Sequence, residues 1–71
     1  MYFYDSPLGV FTIRQEAGRF VLRLDYEILG RYSSPTAAAN DVYMQSTGSF
    51  QWDGCILPPD APTGLGDWQY V

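Results

Sequence analysis

Ser34-Pro35 divides this 71-residue chain into two parts that must fold differently. A serine hydroxyl can accept a bond from an orphan N–H at a helix start, and proline, with no N–H and a fixed φ, fits the first helical position. Behind them Ala37, Ala38 and Ala39 favour helix, and the spacing Pro35, Ala38, Ala39, Val42 makes a narrow apolar stripe of small side chains. Gly48 is placed to end the segment in a left-handed cap. A helix is therefore expected over about 35–46, roughly 12 residues and 18 Å long, able to lie close on a sheet of three short strands.

The sheet is expected before it. Val10 to Arg14 is β-branched and aromatic, with Phe11 and Ile13 on one face and Thr12 and Arg14 on the other. Gln15 to Gly18 reads as a hairpin loop. Arg19 to Leu24 alternates more cleanly: Phe20, Leu22 and Leu24 face one way, and Arg19, Val21 and Arg23 the other. A turn around Asp25 to Glu27 returns the chain into a weaker strand over 28–32, interrupted by Gly30. The fold class that follows is α+β, a three-stranded antiparallel β-meander with strands about 10–14, 19–24 and 28–32, and one helix packed on one face. After it comes an irregular packed tail over 49–71, where Pro58, Pro59, Pro62, Gly64 and Gly66 break regular structure. Trp52, Ile56, Leu57, Leu65 and Trp68 make that tail too apolar to be left in water, and the two tryptophans are expected to cover the ends of the helix–sheet sandwich.

A chain this short buries only about 60% of the surface its unfolded form exposes, so one small domain over 1–71 is the expected organisation. Apolar residues at 46%, aromatics at 17%, are too many for a disordered segment. The single Cys55 leaves no internal disulfide, which suits a reducing, cytoplasmic setting. Met1 to Ser6 has neither the basic nor the long apolar region of a secretory signal, and no stretch approaches the roughly 18 apolar residues of a membrane helix, so no membrane partner is expected.

The residue inventory excludes much chemistry. Without histidine or lysine there is no Ser-His, Cys-His or Ser-Lys pair and no phosphate-clamping lysine. One cysteine cannot make a structural zinc site. Asp53, Asp60 and Asp67 recur in the Gly/Pro-rich tail, where calcium ligation is conceivable, but they lack EF-hand-type clustering and read as solvated acids and turn-formers. Gly64-Leu65-Gly66 follows no strand and is no phosphate loop. Cys55 has no cation near it in sequence to make a reactive thiolate. No enzyme, cofactor or metal is expected.

What remains is charge. The net charge is −4, from eight acids and four arginines, and residues 1–31 are neutral while everything after Arg31 is acidic: Asp41, Asp53, Asp60 and Asp67. Strand parity puts Arg14, Arg19, Arg23 and Arg31 on the sheet face away from the helix, beside Thr12, Val21 and Leu29. A solvated outer face with arginine stems lying on it is the ordinary explanation. Arginines interleaved with Val21 and Leu29 also suit an interface, since Arg and apolar anchors are enriched there. The candidate binding residues are thus Arg14, Arg19, Val21, Arg23, Leu29 and Arg31.

The run Leu29-Gly30-Arg31-Tyr32-Ser33-Ser34-Pro35-Thr36-Ala37-Ala38-Ala39, with Thr47-Gly48, Trp52-Asp53 and Leu65-Gly66-Asp67-Trp68, resembles a group of short bacterial proteins of unknown function. Three strands, a Leu-Gly-x-Tyr element and an Ala-rich helix also resemble, more distantly, the AP2-type DNA-binding domain. That resemblance implies that the sheet's outer face enters the DNA major groove, with Arg14, Arg19, Arg23 and Arg31 as phosphate and base contacts. AP2-type domains are usually basic and carry tryptophan on the sheet, whereas this chain is acidic and has both tryptophans in its tail. The primary expectation is a non-enzymatic small interaction or accessory module. Its partner would be an acidic protein or a second copy, with nucleic-acid binding through the same face as the alternative.

Overall fold

The β2–β3 hairpin fixes everything around it. In the computed structural model, which describes residues 1–71, β2 (Gly9–Glu16) and β3 (Arg19–Leu24) pair antiparallel with Phe11 opposite Leu24, Ile13 opposite Leu22 and Glu16 opposite Arg19. The connection is only two residues long, Ala17 and Gly18, at φ of 51° and 79°. Two positive φ values are what a type I′ turn requires and what the right-handed twist of paired strands favours. The polar Gln15 and Glu16, expected in the loop, are the last residues of β2.

On one side of this hairpin lies β4 (Glu27–Tyr32); on the other lie β1 (Tyr2–Ser6) and the short β5 (Gln69–Tyr70). The sheet has five strands in the order β4-β3-β2-β1-β5, all antiparallel, which corrects the expected three. β1 escapes a parity reading because Tyr2, Phe3 and Tyr4 are all aromatic although they face alternate sides. Its turn is marked in sequence by Ser6-Pro7-Leu8-Gly9, where the Ser6 hydroxyl donates to the Gly9 carbonyl at 2.6 Å and accepts from Leu8 N–H at 3.2 Å. β5 is two residues held against Tyr2 and Phe3, too short to announce itself.

The helix α1 (Pro35–Tyr43) begins as expected, with the Ser34 hydroxyl accepting from Ala37 N–H at 3.1 Å. It ends three residues before Ser46. Gln45, at φ 54°, is the left-handed residue that ends it, and Gly48, also at positive φ (89°), lies three residues further on. Ser46 N–H reaches the Asp41 carbonyl at 2.9 Å and Gln45 N–H the Val42 carbonyl at 3.2 Å, the paired bonds of a Schellman motif. The Gln45 side chain then donates to the carbonyls of Trp52 (2.8 Å) and Cys55 (2.7 Å), tying the helix end to the tail.

The tail is more ordered than its prolines imply. A short helix α2 (Phe50–Asp53) is capped by Ser49, and a single 3-10 turn covers Leu65–Asp67. Trp52 does not cover an end of the sandwich: it is fully buried at its centre, its ring 4.8 Å from Phe11 at 71° and its indole N–H donating to the Val42 carbonyl at 2.9 Å. The small stripe of α1 explains this, since alanines leave room between helix and sheet that only a large tail residue fills. The core is Phe11, Ile13, Leu22, Leu24, Ala38, Ala39, Val42, Trp52 and Trp68. No helix is long and apolar enough to cross a membrane.

Candidate functional site: the outer face of the sheet

The arginines alternate along their strands with residues of the opposite face, buried ones beside Arg14 and Arg23 and half-buried Phe20 and Tyr32 beside Arg19 and Arg31. Arg14 follows Ile13, Arg23 lies between Leu22 and Leu24, and burial of those residues forces the arginines outward. The strand register then sets their mutual positions. Arg14 on β2, Val21 on β3 and Arg31 on β4 form one row across the sheet, so the Arg14 and Arg31 backbones stand two strand spacings, about 10 Å, apart. The next row is Phe3, Thr12, Arg23 and Ile28, and Arg19 stands opposite Glu16 in the row on the other side.

Val21 is only 1% exposed and yet belongs to no part of the core between helix and sheet. It lies on the outer face, shielded by the long side chains around it. Arg23 runs along the sheet past the Val21 row to Glu16 and binds its carboxylate with both terminal nitrogens, Nη1 to Oε2 and Nη2 to Oε1, the second at 3.1 Å. That hydrogen bond, with the positive charge behind it, holds the Glu16 carboxyl below the usual carboxylate range and raises the Arg23 guanidinium further. Both side chains are partly exposed, so the pair contributes orientation more than stability.

Arg14, Arg19 and Arg31 are exposed and form no ion pair within the molecule. The structure thus brings five of the six candidate residues to one face. Leu29 is the exception and a correction. A β-bulge between Leu22 and Arg23 places Gly30 opposite Leu22 and Ile28 opposite Arg23, leaving Leu29 as the extra residue of β4. Leu29 therefore packs against the core, and Ile28, 42% exposed, takes the outward position assigned to it. Simple alternation through Ile28 to Tyr32 cannot reveal a bulge, although Gly30 within a strand is the residue that marks one.

Sequence reasoning also missed Glu16, Phe3 and Val10 on this face. Glu16 was legible only through the loop length: a two-residue Ala17-Gly18 turn puts it opposite Arg19 and on the side of Arg23. Phe3 comes with β1, paired to Thr12, and Val10 on β2 shares the outward parity of Thr12 and Arg14, paired to Asp5.

Of the four carboxylates beyond Arg31, all but Asp60 are engaged locally. Asp53 accepts from Thr47 N–H, the Thr47 hydroxyl and Gly48 N–H; Asp67 accepts from Thr63. Asp41 accepts from the Tyr32 hydroxyl at 2.8 Å, and burial together with this bond pushes the Tyr32 phenol well above its usual range. The Cys55 thiol donates to the Trp52 carbonyl at 3.2 Å. Comparison with known proteins, by family model, against curated proteins and against solved structures, finds no match to this chain.

Proposed function

We propose that the chain is a non-enzymatic interaction module that binds an acidic partner through the outer face of its sheet. The observation that carries this reading is the row Arg31, Val21, Arg14: two exposed guanidinium groups without carboxylate partners, flanking a valine already shielded from water, with Arg19 beyond them. Exposed Ile28 and Val10 add apolar surface on the same face. Planar guanidinium groups recognise carboxylates in a two-pronged way, and Glu16 already binds Arg23 in that manner. An acidic peptide would extend to Arg14 and Arg31 what Glu16 does within the molecule.

The second reading is AP2-like nucleic-acid binding by the same arginines. Against it stand Glu16 and Asp5 on the face itself, which leave separate guanidinium groups suited to single carboxylates and not the continuous positive track that a line of phosphates requires. Fluorescence anisotropy with a labelled oligoglutamate and a labelled DNA duplex, at about 50 mM salt where phosphate contacts are strongest, separates the two. Oligoglutamate should bind, and the double variant Arg14→Glu with Arg31→Glu should bind it at least tenfold more weakly. A chain that ignores oligoglutamate but binds the duplex with a steep salt dependence would replace the first reading with the second.

A further inference from the structure

The complement of the arginine face lies on another side of the same molecule. Beyond Arg31 the chain has no cation: Asp41 and Asp53 belong to α1 and α2, whose buried residues pack on the inner side of the sheet, while Asp60 and Asp67 stand at its β1 edge near Phe3 and Asp5. Exposed apolar side chains belong there too: Phe50 and Ile56, each 94% exposed and exceeded only by Tyr26 in the β3–β4 turn, flank the acidic Asp53, and Met44 is 61% exposed. Trp52, between Phe50 and Ile56, is buried, so these two side chains are held outward by a fixed segment: α2 is capped at Ser49 and bound at the Trp52 and Cys55 carbonyls by Gln45.

We propose that the acidic partner is a second copy of this chain, and that copies associate head to tail. The arginine face of one receives the Asp53-centred surface of the next, with Phe50 and Ile56 as its apolar contacts. This rests on the reading of the sheet face as a docking surface. The two surfaces lie on opposite sides of one sheet and cannot meet within a molecule; between copies they match in charge and both carry exposed apolar side chains. The molecule measures 32 by 23 by 18 Å, and a face bounded by the two larger extents is of the order of the ~800 Å2 per partner of a standard interface. Because the two surfaces differ, the contact is heterologous, and each added copy leaves one free surface of each kind.

Sedimentation velocity of the full chain from about 10 µM to about 1 mM, the range of a weak association, should show a sedimentation coefficient rising with concentration. The rise should disappear as salt goes from about 0.1 M to 1 M, where screening shortens from ~10 to ~3 Å. Two variants altered only at exposed positions, Arg14→Glu/Arg31→Glu and Phe50→Lys/Ile56→Lys, should each be monomeric. Mixed, they should form a 1:1 dimer and nothing larger, since each retains the surface the other lacks. A wild-type chain monomeric throughout, or a Phe50→Lys/Ile56→Lys variant that still self-associates, overturns the proposal. Oligoglutamate binding without self-association overturns it while leaving the docking face intact; loss of both removes the two together.

Discussion

Ala17 carries a cost that its neighbour Gly18 does not. Both sit at positive φ in the two-residue turn between β2 and β3, but only glycine adopts that region freely. An L-residue in the left-handed region is strained by about 1–2 kcal/mol, and asparagine, whose short polar side chain tolerates it, is the preferred first residue of such turns. Ala17→Asn with Gly18 kept should therefore stabilise the protein by about 0.5–1 kcal/mol, a rise in Tm of several degrees for a domain this size. Thermal unfolding followed by circular dichroism measures it, and an unchanged or lower Tm would mean the turn is not strained. The turn matters for the candidate site as well, because it sets the register that places Arg14 beside Val21 and Glu16 within reach of Arg23.

At the scale of elements, the parts legible in the sequence were those in which one face is polar and the other apolar. β3 comes nearest to that condition, with Val21 the one apolar residue on its outer face, and its limits match the alternation to the residue, Arg19 to Leu24. β1 fails it because Phe3 is aromatic on the outer face, and β4 fails it because the bulge breaks the alternation at Leu29. The start of α1 was legible because Ser34 and Pro35 each have one strong local role there; its end was not, since a glutamine at positive φ is supported by tertiary contacts that no local pattern encodes. Those contacts can be tested. Gln45→Ala keeps the left-handed strain and removes both side-chain bonds, so a loss of about 2 kcal/mol is expected. Gln45→Gly removes the same bonds but also the strain, and should lose about 1 kcal/mol less. Urea midpoints of the two variants check the order, and a glycine variant as unstable as the alanine one would refute the strain.

For the whole molecule, the tail decides whether there is a core at all. An alanine-striped helix over a sheet leaves a gap, and Trp52 fills it, contacting Phe11 from the sheet and hydrogen-bonding α1 through the Val42 carbonyl. Trp68 closes the β1 side against Tyr4 and Phe11. Removing a large core aromatic costs about 3–5 kcal/mol, and a domain of this size has only a few kcal/mol to lose. A chain ending at Gly48 should therefore show no cooperative thermal transition. Removing only Gln69 to Val71 discriminates core filling from edge capping: it strips β5 and the Val71 N–H bond to the Met1 carbonyl but leaves both tryptophans. That shorter deletion should keep a cooperative transition at a lower Tm. If the chain ending at Gly48 melted like the full protein, the strands and α1 would be sufficient alone, and the tail, with Phe50 and Ile56, would be an appendage displayed by the fold instead of a part of it.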